Sequence, residues 1–141
     1  MLVVDTSVAV KWVVPEAGAN IEFGTDAALA LLSETLIAPD CILGEFANAL
    51  FKKVQRREIG TRQAKMALAI LGDIVDLVPS APLVEPAMEL ALRLPHPVHD
   101  CIFLVAAMRM QLQLVTADRK FHDTCHAHDA LLPIRLLSAP R

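Results

Sequence analysis

The protein has 141 residues, of which 55% are hydrophobic and 21% are charged. This length suits a single domain over residues 1–141, and the composition excludes an intrinsically disordered chain. No uncharged run exceeds eight residues, which excludes a transmembrane helix, and the formal net charge of −3 neither favours nor excludes a polyanionic partner.

The chain opens with a short apolar run followed by residues that favour helix N-termini. Leu2–Val4 predicts a strand buried on both faces, and Asp5-Thr6-Ser7 predicts the turn from that strand into a helix. A second helix is predicted near residues 19–34 and a second strand over Thr35–Ala38.

Two helices separated by a break are predicted next. Pro39-Asp40 predicts the end of the strand and a helix cap, and Cys41–Arg57 predicts a helix with an apolar face at positions 42, 43, 46, 50 and 54. Another helix near residues 62–73 completes a helical hairpin. Four basic side chains cluster towards the end of the first helix: Lys52, Lys53, Arg56 and Arg57. We interpret this cluster as a solvated helix face, with contact to a nucleic-acid backbone as the alternative.

The second half of the chain continues the alternation of strands and helices. Ile74–Val78 predicts a strand, residues 84–94 a helix, and Val98–Met110 a helix so apolar that it should lie deep in the core. The last predicted elements are a strand, a capped helix and a strand: Leu112–Thr116, Asp118 to about residue 125, and Ile134–Leu137. This alternation predicts an α/β fold with a parallel sheet covered on both faces.

Four acidic residues occupy equivalent places in this plan. Asp5 and Asp118 follow the C-terminal ends of predicted strands, whereas Glu45 lies in the second turn and Asp100 in the first turn of predicted helices. In an open parallel sheet, ligand sites form outside the carboxyl ends of the strands. We therefore expect these four carboxylates to converge there.

Converging carboxylates need a cation, because helix N-termini relieve their repulsion only in part. Hard oxygen ligands suit Mg²⁺ or Mn²⁺, whereas no motif supplies the His and Cys set that zinc prefers. Such a metal lowers the pKa of a bound water and stabilises charge on a phosphate. The sequence therefore predicts phosphodiester hydrolysis with four metal-ligating and catalytic residues: Asp5, Glu45, Asp100 and Asp118.

Four motifs together resemble a known family. They are VVDTSV at residues 3–8, GEFANAL at 44–50, HDCIFLVAA at 99–107 and LVTADRKF at 114–121. In order, across essentially the whole chain, they are similar to the motifs of the PIN-domain family, and more narrowly to those of its VapC-type toxins from toxin–antitoxin modules. The segment before Asp100, Pro95–His99, is richer in proline and histidine than this resemblance leads us to expect.

The resemblance implies a three-layer α/β/α sandwich with a central parallel sheet, commonly assembled as a homodimer. It implies that the four acids hold one or two Mg²⁺ or Mn²⁺ ions. It also implies an endoribonuclease that blocks translation by cleaving tRNA, rRNA or mRNA, leaving a 3′-hydroxyl and a 5′-phosphate. A cognate antitoxin protein is expected to insert a segment into the acidic site.

Each acid also has a purely structural interpretation. The three aspartates could serve only as helix caps, and Glu45 could be a solvated helix residue. Four neighbouring polar side chains are candidates to orient the carboxylates: Thr6, Ser7, Asn48 and Thr116. Asp123 lies on another side of its helix from Asp118 and is left outside the site.

Histidines offer a different chemistry. A cluster near the C-terminus invites a zinc interpretation: His122, Cys125, His126 and His128. Zinc sites usually pair two such groups across a longer loop, and the sequence shows no second pair, so we interpret the cluster as a polar surface loop. Metal-free RNA cleavage by two histidines is a further alternative, although nothing fixes two of them opposite each other.

Two alternatives come from other functional classes: a non-catalytic RNA-binding or regulatory module with the same fold, and a metal-dependent DNase. The full set of four acids disfavours the first, and the lack of an appended DNA-gripping domain disfavours the second. Three scattered cysteines and an N-terminus without a basic region favour a cytoplasmic protein over a secreted one.

Overall fold

Five parallel strands form the centre of the protein, whose computed structural model describes residues 1–13 and 24–137. The strands are β1 (Leu2–Val4), β2 (Leu36–Pro39), β3 (Val75–Val78), β4 (Leu114–Thr116) and β5 (Ile134–Leu136). They pair in the order β3-β2-β1-β4-β5, so β1 lies in the middle of the sheet. The predicted parallel sheet is confirmed.

Helices cover both faces of this sheet. Within the described residues they are α1 (Thr6–Ala9), α2 (Thr25–Ala30), α3 (Ile42–Gln55), α4 (Thr61–Ile74), α5 (Val84–Arg93), α6 (Val98–Met110) and α7 (Arg119–His128). Crossover connections between parallel strands are right-handed. The connections from β1 to β2 and from β2 to β3 therefore lie on one face of the sheet, and those from β3 to β4 and from β4 to β5 lie on the other. The contacts of α3 with α1 and α4, and of α5 with α6, agree with this arrangement. The predicted α/β/α sandwich is confirmed.

Helix α6 is the centre of the core, as its apolar sequence predicts. Every residue of Cys101–Ala107 is buried, and the helix packs on β1, β2 and β4. Burial of each large apolar side chain contributes roughly 1.5–3 kcal/mol. The first turn of α6, which carries Asp100, is therefore attached to the most firmly packed part of the protein. None of the helices in the described ranges is long and apolar enough to span a bilayer.

Some local predictions fail where long-range contacts decide the structure. Asp40 was expected to cap α3, but its carboxylate accepts hydrogen bonds from the N–H (3.0 Å) and the hydroxyl of Ser80, and the residue before α3 is Cys41, which makes no side-chain cap bond. Ser80 is 40 positions away, so no local pattern reveals this pairing. The helix predicted near residues 19–34 is shorter, because α2 spans Thr25–Ala30; positions 19–23 lie outside the described residues.

The buried and exposed faces of helix α3 also differ from the predicted ones. Ile42, Phe46 and Leu50 are buried, but Leu43 is 37% exposed, because the buried stripe follows the four-residue spacing and leaves its neighbour at the edge. The basic cluster is not a uniform solvated face either. Lys53 is buried, with its Nζ 3.4 Å from Oε2 of Glu58. Three of the four cationic side chains remain exposed: Lys52, Arg56 and Arg57.

Candidate active site

Two of the predicted acids lie at the crevice where the sheet changes its winding direction. Asp5 follows β1 and Asp118 follows β4, and these strands are neighbours in the sheet. From β1 the chain crosses to β2 on one side, whereas from β4 it crosses to β5 on the other. Open α/β sheets bind ligands at such a point, outside the carboxyl ends of the strands.

Ser7 joins the two sides of this crevice. Its hydroxyl donates to Oδ1 of Asp5 at 2.5 Å and accepts the N–H of Ala117 at 2.8 Å. It also lies 3.2 Å from Oγ1 of Thr116, which in turn accepts the N–H of Asp118 at 3.1 Å. The Ser7 and Thr116 hydroxyls therefore link the Asp5 carboxylate to the chain that leads into Asp118.

Asp5 is a buried carboxylate with an unusual acidity. Its side chain is 5% exposed and caps α1 by accepting the N–H of Val8 at 3.3 Å. Burial raises the pKa of Asp5 to about 6, although hydrogen bonds from Ser7, Thr116 and Val8 oppose the shift, and the negative charge of Asp100 adds to it. Asp100 therefore lies close enough to Asp5 to repel its charged form.

Glu45 reaches the same region from α3. It lies in the first turn of this helix rather than the predicted second, because α3 begins at Ile42. Its Oε1 accepts a hydrogen bond of 3.0 Å from the hydroxyl of Thr6. Burial raises the pKa of Glu45 and the charge of Asp100 raises it further, whereas Thr6 and His99 lower it. The charge of Asp100 therefore acts on both Asp5 and Glu45, and these three acids are brought together.

Asp100 has a partner that the sequence analysis did not identify. Its Oδ2 lies 2.7 Å from Nε2 of His96, and its Oδ1 lies 3.7 Å from Nε2 of His99. The His96 side chain is 7% exposed, and its ring stacks on Phe121 with centroids 4.5 Å apart. The signal was present in the sequence as a histidine four positions before Asp100, inside the unusual segment Pro95–His99.

Asp118 and Asn48 are connected to the other acids less directly. Asp118 caps α7, because its Oδ1 accepts the N–H of Phe121 at 3.1 Å, so the predicted helix cap is confirmed. Asn48 is exposed on α3, one turn after Glu45. A metal-binding role for Asp118 and a carboxylate-orienting role for Asn48 stay predictions.

The donor set suits a divalent cation with a partly aqueous shell. In residues 1–13 and 24–137, no three His, Cys, Asp or Glu side chains form a group that could hold a metal ion. Mg²⁺ is usually held by only one or two carboxylates, together with waters and substrate phosphates. The charge of Asp100 raises the pKa values of Asp5 and Glu45, and these carboxylates present the hard oxygens and the surplus negative charge that such an ion relieves. Ligation by all four acids stays a prediction.

The C-terminal histidine cluster forms part of a helix. The predicted surface loop is wrong, because α7 extends to His128 and its buried residues, Phe121 and Cys125, pack it onto the core. Burial raises the pKa of the Cys125 thiol to about 12, so the thiol stays protonated at neutral pH. Nε2 of His126 lies 3.0 Å from the carbonyl oxygen of Ile134. Over the described ranges, these side chains form no group of three that could hold a metal.

The raised pKa of Asp5 predicts that the site destabilises the metal-free protein at neutral pH. The folded state holds this proton more tightly than the unfolded state, so ionisation of Asp5 lowers stability as the pH rises from about 4 to about 6. Asp5→Asn removes the charge and should therefore increase the free energy of unfolding at pH 7 by about 2–3 kcal/mol in EDTA. Urea denaturation of both proteins across this pH range measures the difference, which should vanish near pH 4.

Asp40→Asn is a control that should change the free energy of unfolding in the opposite direction. Hydrogen bonds from Ser80 hold the pKa of Asp40 below its usual value, so ionised Asp40 stabilises the folded state above the unfolded pKa. The variant should lose stability at pH 7 rather than gain it. A wild-type protein as stable as Asp5→Asn at pH 7 would contradict the buried charge at Asp5.

Comparisons with known proteins agree with this architecture. The family model of the PIN domain matches residues 2–127. The crystal structure of PAE2754 from Pyrobaculum aerophilum has a TM-score of 0.67 and 18% identity, over 87% of this chain and 83% of that chain. VapC20 from Mycobacterium tuberculosis, a toxin that cleaves the sarcin–ricin loop, has a TM-score of 0.67 and 23% identity, over 87% and 94%. A toxin–antitoxin complex from Klebsiella pneumoniae has a TM-score of 0.63 and 13% identity, over 99% and 100%. No curated protein matches the sequence significantly.

Proposed function

The chain belongs to the PIN domain family, and on that basis we propose that it is a metal-dependent endoribonuclease, the toxin of a toxin–antitoxin module. The observation that carries the proposal is the electrostatic interaction of three acids at one edge of the sheet: Asp5, which is buried, and Glu45 and Asp100, which are half-buried. Asp5 precedes β2 in the sequence and Glu45 follows it, yet the charge of Asp100 raises the pKa of both. Such a concentration of negative charge has little structural value without a cation.

We assign Asp5, Glu45, Asp100 and Asp118 as the residues that hold Mg²⁺ or Mn²⁺. The bound cation supplies charge stabilisation for the phosphodiester in the transition state. The protein contributes orientation: the Ser7 hydroxyl directs the Asp5 carboxylate, and the Thr6 hydroxyl directs that of Glu45. Both hydroxyls belong to the turn that follows β1 directly. This one turn therefore orients both the Asp5 carboxylate, which lies in the same turn, and the Glu45 carboxylate, which comes from α3.

RNA is the proposed substrate. The structural neighbour VapC20 is a toxin that cleaves the sarcin–ricin loop, which is support by analogy of fold. Three exposed cations on or just after α3 could contact a phosphate backbone at a distance from the acids: Lys52, Arg56 and Arg57. Lys53 does not join them, because it is buried against Glu58.

A cognate antitoxin is the proposed protein partner. The structural neighbour from Klebsiella pneumoniae is a toxin–antitoxin complex, and an inhibitor that supplies a cation to the acidic edge would relieve the same repulsion as a metal. We also propose that the protein acts in the cytoplasm, where its RNA substrates are, and that it assembles as a homodimer, which the family resemblance implies.

Incubation of the purified protein with total RNA, with Mn²⁺ or with EDTA, tests the proposed function. We expect discrete cleavage sites with 5′-phosphate ends that appear only with metal, as read by mapping of 5′ ends. A parallel preparation of Asp100→Asn controls for contaminating nucleases.

The other outcomes separate the alternatives. Cleavage that persists after thorough chelation favours histidine chemistry. Cleavage of single- or double-stranded DNA but not RNA favours a DNase, and binding of RNA without cleavage in either metal favours a non-catalytic module.

A further inference from the structure

A buried imidazole supports the carboxylate at the centre of the acidic group. His96 lies in the connection between α5 and α6, and its Nε2 is 2.7 Å from Oδ2 of Asp100. A carboxylate oxygen brings no proton to this contact, so the imidazole donates the hydrogen bond. The side chain of His96 is 7% exposed, which leaves it no access to a macromolecular substrate. Its role must therefore be exerted through Asp100.

The ring of His96 is held in this orientation by its other neighbour. It stacks on Phe121 with an interplanar angle of 19°, and Phe121 is itself buried in the core. The N–H of Phe121 donates to Oδ1 of Asp118, so the residue that fixes His96 belongs to the turn that Asp118 caps. A stacked, buried ring has few alternative rotamers, so its N–H points in one direction.

The two oxygens of Asp100 therefore differ in their surroundings. Oδ2 is occupied by His96, whereas Oδ1 lies 3.7 Å from Nε2 of the exposed His99, beyond hydrogen-bonding distance. In metal sites, ligands are commonly oriented by hydrogen bonds from residues that do not touch the metal, and loss of such a partner typically lowers metal affinity.

We propose that His96 is a positioning residue, which holds Oδ2 of Asp100 so that Oδ1 faces the divalent cation of the nuclease site. The proposal rests on the proposed function, because it requires that Asp100 binds a cation. It explains why an imidazole is buried beside the acids. It also links the orientation of Asp100 to Asp118, because His96 stacks on Phe121 and Phe121 lies in the turn that Asp118 caps.

Mn²⁺ binding without RNA tests this proposal directly. His96→Phe keeps a ring that can stack on Phe121 but removes the N–H, and it should weaken Mn²⁺ binding by about 10- to 100-fold in titrations followed by electron paramagnetic resonance. His96→Gln, whose amide can still donate to Asp100, should retain more affinity than His96→Phe. His126→Phe is the matched control: it also loses a bond made by Nε2, to a carbonyl away from the acids, and should bind Mn²⁺ within about twofold of wild type.

A double-mutant cycle separates positioning from a general loss of structure. In the Asp100→Asn background, His96→Phe should cause little further loss of Mn²⁺ affinity, because the group it orients is already altered. In the wild-type background, it should lower kcat at subsaturating Mn²⁺ while KM for RNA stays unchanged. Equal Mn²⁺ affinity of wild type, His96→Phe and His96→Gln would overturn the role of His96. If wild type and Asp100→Asn bind Mn²⁺ equally, the proposed metal site itself is wrong.

Discussion

Asp100→Asn is expected to reduce metal-dependent RNA cleavage by at least about 100-fold while the protein stays folded. Asparagine keeps the shape of the side chain but removes the charge that acts on both Asp5 and Glu45. The site then attracts a cation less strongly and loses a ligand oxygen. Initial rates on one mapped RNA site at several Mn²⁺ concentrations measure the loss, and circular dichroism checks the fold.

Asp123→Asn is the matched control for this experiment. Asp123 is an exposed residue on α7, and its carboxylate lies 2.9 Å from Nδ1 of His122. It is not one of the four acids of the proposed site. Its replacement should change the cleavage rate by less than about twofold, as is usual for surface substitutions. Wild-type cleavage rates in both Asp100→Asn and Asp5→Asn would refute the assignment of the site. The Asp5 variant is expected to be more stable in EDTA yet inactive, a trade-off seen when active sites hold buried charge.

Phe103→Ala is expected to lower the free energy of unfolding by about 3–5 kcal/mol, which is the largest effect on stability that we predict. Phe103 is buried in the middle of α6, among residues that pack against the central strands. Removal of the ring loses its burial and leaves a cavity that the surrounding helix and sheet can fill only in part. Urea denaturation at pH 7 measures the change.

Leu131→Ala provides the reference for an exposed apolar side chain. Leu131 is 89% exposed, so its truncation should change the free energy of unfolding by no more than about 0.5 kcal/mol. A loss of less than about 1 kcal/mol in Phe103→Ala would mean that α6 is not the packed centre of the core.

The sequence predicts most of the fold because the buried strands and helices are apolar over most of their length. β1 and α6 have the predicted bounds: Leu2–Val4 is an apolar run that ends at Asp5, and Val98–Met110, which is mostly apolar, begins directly after Pro97. Predictions fail where the deciding contact is distant. Asp40 bonds to Ser80 instead of capping its helix, and hydrophobicity alone does not show that Leu43 lies at the edge of the buried face.

The candidate site is predictable in position but not in detail. A topological rule places Asp5 and Asp118 beside each other, because both follow adjacent parallel strands. The partner of Asp100 is not predictable in this way. His96 lies only four positions before Asp100, but the stacking contact that holds its ring involves Phe121, 25 positions later, and follows from the packing of α6 and α7.

The hydrogen bonds of Ser7 also determine how this edge of the sheet can move. They attach the turn after β1 to the backbone N–H of Ala117 after β4, and both strands are central in the sheet. Segments of a protein that exchange their amide protons slowly are those that open only when the whole domain unfolds. The acid-bearing turns at these two strands therefore belong to the same cooperative unit as the core. Fraying of a loop is therefore not expected to disassemble them, so reversible inactivation of the proposed nuclease has to come from loss of its cation or from a molecule that covers this edge.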